Sequence, residues 1–478
     1  EQLVKLGVAC INWICVCFVL VVANSRAHAE RPAALDSALR KEIQRHRLSG
    51  NPAIGLKLPS IESKRSQLGK LLFFSKALGG DFDVACVSCH HPVLGGGDNL
   101  PQSIGVGVKR AEILGPGRGR ADDAFVVPRN ASTTFNVGLW KRALFWDGRV
   151  EWIVASNGKL RGIRTPDSNI GEPDPDAGSE LVAAQARFPI TSPQEMLGID
   201  FVNHNTTEEA RAAIVRRLTS SSGWRREFRN AFGRGGITFG RIAVALSAYQ
   251  RSQVFVNTPW SKYVRGANRA IGDSAKRGAL LFFQSRAKGG AECASCHSGD
   301  FFTDEKFWAI AAPQIGPGKG DLGRFSTDHG RFRETRKKGD MFAFRTPSLL
   351  NVEVTGPYTH AGAYIELRDV IEHHLDPVKA AKGYKLTTNF PYARIGIEMN
   401  ISDTIKHLRQ APQRAISTLA EPLKFSRAQI DQIVAFLRTL TDPCVKDRAC
   451  LAPWLLGSDT TDPDGTLLRA VDAEGKRL

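Results

Sequence analysis

Cys86-Val87-Ser88-Cys89-His90 and Cys293-Ala294-Ser295-Cys296-His297 are the residues of this chain best placed to do chemistry. Each is a C-x-x-C-H, the pattern that attaches a c-type haem. The two Cys sulfurs can form thioethers to the haem edge, and the adjoining His supplies a nitrogen to the iron. One such match can arise by accident. Two, at similar places in the two halves of one chain, point to two covalently bound haem c groups. Cys86, Cys89, Cys293 and Cys296 are then the attachment points, and His90 and His297 the proximal ligands.

The elements that must position these motifs repeat as well. Gly69-Lys70-Leu71-Leu72-Phe73-Phe74 precedes the first motif and Gly278-Ala279-Leu280-Leu281-Phe282-Phe283 the second. A repeat of this kind implies related units in tandem. Both stretches read as the end of a helix leading into a haem loop, with Leu and Phe side chains suited to a porphyrin face. Each unit is expected to be mostly helical, because the haem replaces much of its core. Helical period appears elsewhere. Ser426 and Gln429 form a candidate capping box, followed by Ile430, Ile433, Val434, Leu437 and Leu440 on one face. Ile242, Leu246 and Tyr249 mark a helix closing the first unit, and residues near Thr258-Pro259 read as the linker. Gly115 to Gly119 and Gly316 to Gly320 both run Gly-Pro-Gly-basic-Gly. With no strand before and no helix after, they read as turns and not as phosphate cradles. Asp167 to Gly178, rich in Pro, Asp and Gly, reads as an exposed insertion.

At 478 residues with a net charge of +17, the chain can hold two or three domains and favours acidic partners. No nucleic-acid motif accompanies the charge, so nucleic acid is not an expected partner. Lys5, an apolar run to Val22 and the small-x-small Ala27-His28-Ala29 read as a signal peptide over residues 1–29. An uncleaved anchor is the alternative. The expected location is the periplasm, with no stable membrane span after cleavage, since no later segment is apolar enough. Of nine Cys, Cys10, Cys15 and Cys17 leave with the signal and four serve the haems. Cys444 and Cys450 remain, and two spare Cys so close together in an exported chain suggest a disulfide closing a small loop. The expected division is 30–257 for the first haem domain, 258–443 for the second and 444–478 for a disulfide-bearing tail.

Further segments carry a resemblance. They include Leu68 to Phe74, Gly95-Gly96-Gly97-Asp98, Arg129-Asn130, Phe145-Trp146-Asp147-Gly148-Arg149 and Pro193-Gln194-Glu195-Met196. In the second half come Phe301-Phe302-Thr303-Asp304, Arg345-Thr346-Pro347-Ser348-Leu349 and Thr355-Gly356-Pro357-Tyr358-Thr359-His360-Ala361-Gly362. With the haem motifs, in this order, they resemble bacterial dihaem cytochrome c peroxidases and their relatives of the MauG type, from about Leu68 to Asp442. The resemblance implies a mainly α fold of two tandem cytochrome-c-like haem domains with long irregular loops. It implies a peroxidatic N-terminal haem, an electron-relaying C-terminal haem and a calcium ion between them. Asn130, Thr355 and Pro357 match the calcium site, Glu195 the distal acid and base, Gln185 a distal amide, and Trp146 the aromatic between the haems. Homodimers are frequent in the family.

The chain departs from the family pattern at both distal sides. Many family peroxidases close the first iron with a His sixteen residues after the motif His; here that position is Val106, which cannot ligate iron. An open first iron is expected. At the second iron the family uses Met or Tyr fourteen residues after the His of the Pro-Tyr-x-His segment; here that position is His374. Leu367, Val370, Ile371 and His374 share an apolar helical stripe, so periodicity also turns His374 inward. His373, Met341 and Met399 are the rivals. Two imidazoles should lower the potential relative to His/Met ligation.

The leading reading is a dihaem c-type peroxidase. Hydrogen peroxide is its substrate, and a small redox protein its electron donor. A MauG-like enzyme oxidising residues of a protein substrate is the alternative, and a non-catalytic dihaem electron carrier the third. Glu195, Gln185 and the open first iron argue against the carrier.

Overall fold

The computed structural model describes residues 34–119, 126–198, 206–316, 318–319, 327–386, 397–410, 419 and 421–478. The signal-peptide reading lies outside the described residues, as do Pro317 and Gly320 of the second Gly-Pro-Gly turn. The fold is mainly helical. The elements that matter for the site are α1 (34–45), α2 (Lys64–Phe74), α3 (Leu181–Ala186), α4 (Phe239–Arg251), α5 (Asp273–Phe283), α6 (Leu367–Leu375) and α7 (Arg427–Arg438). Strands are short. β1 (Ala143–Leu144), β2 (Val150–Val154) and β3 (Leu160–Arg164) form an antiparallel sheet in that order, and β4 (Phe307–Trp308) pairs with β5 (Phe344–Arg345).

The sequence repeat is a packing repeat. α2 lies against α4 so closely that a Cβ on Gly69 would stand 1.9 Å from the Ala245 carbonyl oxygen. α5 meets α7 in the same way, and a Cβ on Gly278 would stand 1.8 Å from the Gln432 oxygen. The glycine that opens each lead-in is therefore the point where two helix backbones touch. Beyond it, Leu72, Phe73 and Phe74 enter one apolar cluster, and Phe282 and Phe283 another. α7 is capped as expected: Ser426 accepts from the Gln429 N–H, and the Gln429 side chain accepts from the Ser426 N–H.

The two clusters do not divide at the expected boundaries. α1 and the turn after it, through Leu39, Ile43 and Leu48, belong to the cluster of α5 and α7. The segment expected to be a tail turns back to the cluster of α2 and α4. There it buries Leu451, Leu455, Leu456, Leu467, Leu468 and Ala470. Trp454 donates from Nε1 to Ser252 Oγ at 3.0 Å, and the Tyr249 hydroxyl donates to the Trp454 oxygen at 2.8 Å. Bridges Ser75 to Leu467 and Ile113 to Val471 fasten it further. Each buried Leu is worth roughly 1.5–3 kcal/mol, so this stretch is part of the fold. Cys444 and Cys450 form a disulfide, with Cα atoms 5.3 Å apart.

Two other segments are held more firmly than their composition suggests. Thr258-Pro259 does join the two clusters, between Phe255 and Trp260, and it is buried: Thr258 caps a short helix, Pro259–Val264, that buries Trp260. The neighbouring Asn257 N–H donates to Asp442 Oδ2 at 2.7 Å, which ties the junction down across the chain. Asp167 to Gly178 is largely exposed, as expected, yet it is tied down. Asp167 and Asp174 grip Arg187 at 2.9 and 2.6 Å, and that grip fixes the chain just after α3.

Candidate dihaem site

Both C-x-x-C-H motifs fold into the same tight turn. In the first, the Cys89 and His90 N–H groups donate to the Cys86 oxygen at 3.3 and 3.1 Å. In the second, Cys296 and His297 donate to the Cys293 oxygen at 3.2 and 2.9 Å. The turn brings both sulfurs and the imidazole to one cavity wall. His90 uses Nδ1 against the Gly96 oxygen at 3.2 Å, and His297 uses Nδ1 against the Phe302 oxygen at 3.2 Å. That leaves Nε2 of each as the metal-binding atom, the usual arrangement of an oriented ligand. Burial lowers both imidazoles, His297 to about 4, and so favours the neutral, ligating form. Burial also pushes the Cys86 and Cys293 thiols up to about 12, which disfavours a thiolate metal site. Among the described residues no group of three or more His, Cys, Asp or Glu side chains could hold a metal ion.

The first cavity holds Cys86, Cys89 and His90 together with Gln185, Glu195 and Met196. Glu195 sits on a π-helical turn, Pro193–Leu197, where Ser192 Oγ accepts from the Glu195 N–H at 3.3 Å. Its Oε1 lies 3.9 Å from Arg149 Nη2. Arg149 also reaches Asp147 at 3.3 Å and covers the Phe145 ring. Gln185 comes from α3. Val106 is buried and packs under this turn, its N–H 3.4 Å from the Gln194 oxygen. Met196 is buried, part of the apolar cluster that forms this stretch of the cavity wall.

The second cavity holds Cys293, Cys296, His297 and His374. The rings of His297 and His374 have centroids 6.4 Å apart. An imidazole nitrogen binds a metal at about 2.0–2.1 Å, and a ring centroid lies roughly 1.1 Å behind it, so two rings on one ion stand about 6.3 Å apart. His374 spends Nδ1 on the Val370 oxygen at 2.7 Å, leaving Nε2 free. His373 is the more buried of the pair, but both its nitrogens are engaged. Nδ1 faces the Tyr364 hydroxyl and Nε2 the Ile310 oxygen, each at 2.8 Å. Met341 packs with Ala309, Phe342 and Ala343, away from the cavity lining. The Met399 side chain lies outside the described residues. Asn130, Thr355 and Pro357 all line this second cavity. The Asn130 Nδ2 donates to the Leu100 oxygen at 3.0 Å.

Asn130, Trp140, Trp146 and Arg345 line both cavities and make the wall between them. Trp146 donates from Nε1 to the Asn130 oxygen at 3.0 Å, and the Arg345 N–H donates to the Trp146 oxygen at 2.8 Å. Arg345 lies over the Trp140 ring, 3.3 Å from its centroid. Its guanidinium is buried, its Nε has no partner, and no ion pair to it occurs among the described residues. Burial lowers it to about 9. A buried cation needs an anion, and a haem brings two carboxylates. The orphaned Nε and the spacing of the two rings both fit haem. Sequence reasoning missed Trp140 and Arg345, and also Lys319, which lines the first cavity. Arg345 opens the Arg-Thr-Pro-Ser-Leu segment, but nothing local reveals that it faces two cavities.

Similarity to known proteins places the chain in a family. The family model for di-haem cytochrome c peroxidase matches residues 63–269. A methylamine utilization protein MauG from Methylophilus methylotrophus is 30% identical over 311 residues, 65% of this chain and 72% of that protein. The chain belongs to the di-haem cytochrome c peroxidase family. The cytochrome c551 peroxidase of Pseudomonas aeruginosa is 27% identical over 374 residues, 78% of this chain and 84% of that protein. Among solved structures, a MauG-like protein associated with microbial copper homeostasis shares the fold. Its TM-score is 0.56 at 23% identity, covering 85% of this chain and 97% of that one. Family membership implies two haem c groups and an oxidoreductase.

Proposed function

We propose that this protein is a periplasmic dihaem c-type peroxidase that reduces hydrogen peroxide in the His90 cavity. Haem supplies the redox chemistry when bound, held by Cys86, Cys89 and His90 in the first cavity and by Cys293, Cys296, His297 and His374 in the second. The observation that carries the reading is that Glu195 and Gln185 face the His90 cavity, where no second imidazole lines the wall among the described residues. Glu195 takes a proton from peroxide and returns it as the O–O bond breaks, a general acid–base role. Gln185 orients the peroxide by hydrogen bonds. Trp146 carries electrons between the cavities, its indole fixed by Asn130. Asn130, Thr355 and Pro357 supply oxygen donors to a calcium ion, a hard cation suited to them. The electron donor is a small redox protein drawn to the basic surface.

A second reading keeps the same site and changes the reducing substrate: residues of a partner protein are oxidised, as a MauG-type enzyme would do. The pairing of His374 with His297, in place of a Met, favours it, because it lowers the potential of the second haem. Steady-state peroxide turnover with a reduced small cytochrome tests the first reading. Rapid turnover supports it. No turnover, with ferric resting spectra showing one high-spin and one low-spin haem, would favour the second. Two low-spin haems would overturn the open first iron on which both rest.

A further inference from the structure

The first cavity contains a cation that neither reading uses. Lys319 lines it beside Glu195 and Arg149. No hydrogen bond or ion pair to its ammonium occurs among the described residues. The described chain before it is held at Gln314 and Ile315. The buried Gln102 donates from Nε2 to the Ile315 oxygen at 2.7 Å, and the Gln314 Oε1 lies 2.8 Å from His360 Nε2. The charges around it are unevenly spent. Arg129 is consumed by Asp147 and Asp328, at 2.5 and 2.7 Å. Arg149 is shared between Asp147 and Glu195. Asp147 and Glu195 are thus engaged by arginine, and Lys319 is left as positive charge without a carboxylate of its own. An unmatched cation withdrawn from water favours a small anion as ligand.

We propose that Lys319 is the anion-binding group of the first cavity: it holds small monoanions beside the open iron, including the hydroperoxide left when Glu195 accepts a proton from hydrogen peroxide. The step balances, since H2O2 loses one proton to the Glu195 carboxylate and the resulting anion meets the ammonium. Its partners also set its titration. Burial lowers Lys319, Arg149 and Arg129 lower it further, and Glu195 and Asp147 oppose them, leaving it at about 8. A lysine holds anions only while protonated, so its contribution is full below that range and fades above it. This inference rests on the open first iron of the proposed function.

Azide and fluoride titrations of the ferric holoprotein, followed by the first-haem absorption over a range of pH, test it. Lys319→Met should weaken both anions roughly tenfold below about pH 8, the scale of one charged hydrogen bond. The gap from wild type should close as pH rises through about 8. Lys319→Arg should bind as wild type at low pH and keep its affinity at high pH, because a guanidinium stays charged. Equal haem content and an unchanged second-haem spectrum exclude misfolding. Lys319→Met with wild-type affinity at every pH would overturn the proposal; with a shifted first-haem potential as well, it would assign the ammonium to the cofactor's own carboxylates. A wild-type protein that binds neither anion and has no high-spin signal would overturn the open iron, and the anion role with it.

Discussion

Glu195 and His374 are the residues on which the proposed chemistry turns. Glu195→Gln keeps the shape of the side chain and removes the base. Peroxide turnover should fall by about 10²–10⁴-fold, the usual worth of a positioned acid–base group, with both haem spectra unchanged; a smaller loss would remove Glu195 from the proton path. His374→Met should raise the potential of the second haem in a redox titration, because a thioether axial ligand favours the reduced iron. His373→Ala, by contrast, removes only the bonds to Tyr364 and Ile310 and should leave that haem low-spin. Burial alone would have chosen His373. The helical stripe pointed to His374, and what separates the two is that His373 has both nitrogens bonded while His374 keeps Nε2 free. Sequence can carry that stripe because it is local. Arg345, Trp140 and Lys319 stayed illegible because their roles depend on which remote walls they complete, and no spacing rule encodes that.

At the scale of elements, the most exacting contacts are the two helix crossings. Gly278→Ala would drive a methyl into the Gln432 carbonyl, and an overpacked contact of this kind costs typically about 1–3 kcal/mol. Denaturant unfolding should show the loss, and Gly69→Ala should show a similar one; wild-type stability for both would mean that the helices separate without penalty. Ser426→Ala should cost about 1 kcal/mol through the lost cap. The capping box, α6 and α4 were all legible, since each is written within a few consecutive turns. The Thr258-Pro259 junction is legible as a linker, but its burial is not. Its Thr and Pro look like a linker, but Asp442, far along the chain, takes up the N–H beside it. The exposure of Asp167 to Gly178 is legible from composition, whereas its grip on Arg187 is invisible without the fold.

Across the whole molecule, the chain's segments cross: α1 lies in the second cluster and residues 451–470 lie in the first. Leu468→Ala, though far in sequence from the first haem motif, should destabilise the first-haem unit by about 2–5 kcal/mol. Unfolding in denaturant, read separately at each haem, should give coincident midpoints for the wild type, because neither cluster is complete without a segment from beyond the other. Well-separated midpoints would show the units to be independent. The tandem repeat was legible as two similar motifs and lead-ins. The exchange of segments was not, because apolar periodicity says that a face is buried but not against what. The same crossing sets an order in time. A chain emerging from the ribosome makes the first C-x-x-C-H early, yet the apolar wall behind that haem closes only when residues 451–470 arrive, after everything the second haem needs has been made. The segments of the second cluster are therefore all made before the last of the first, and the first cavity is the last to gain its full apolar wall.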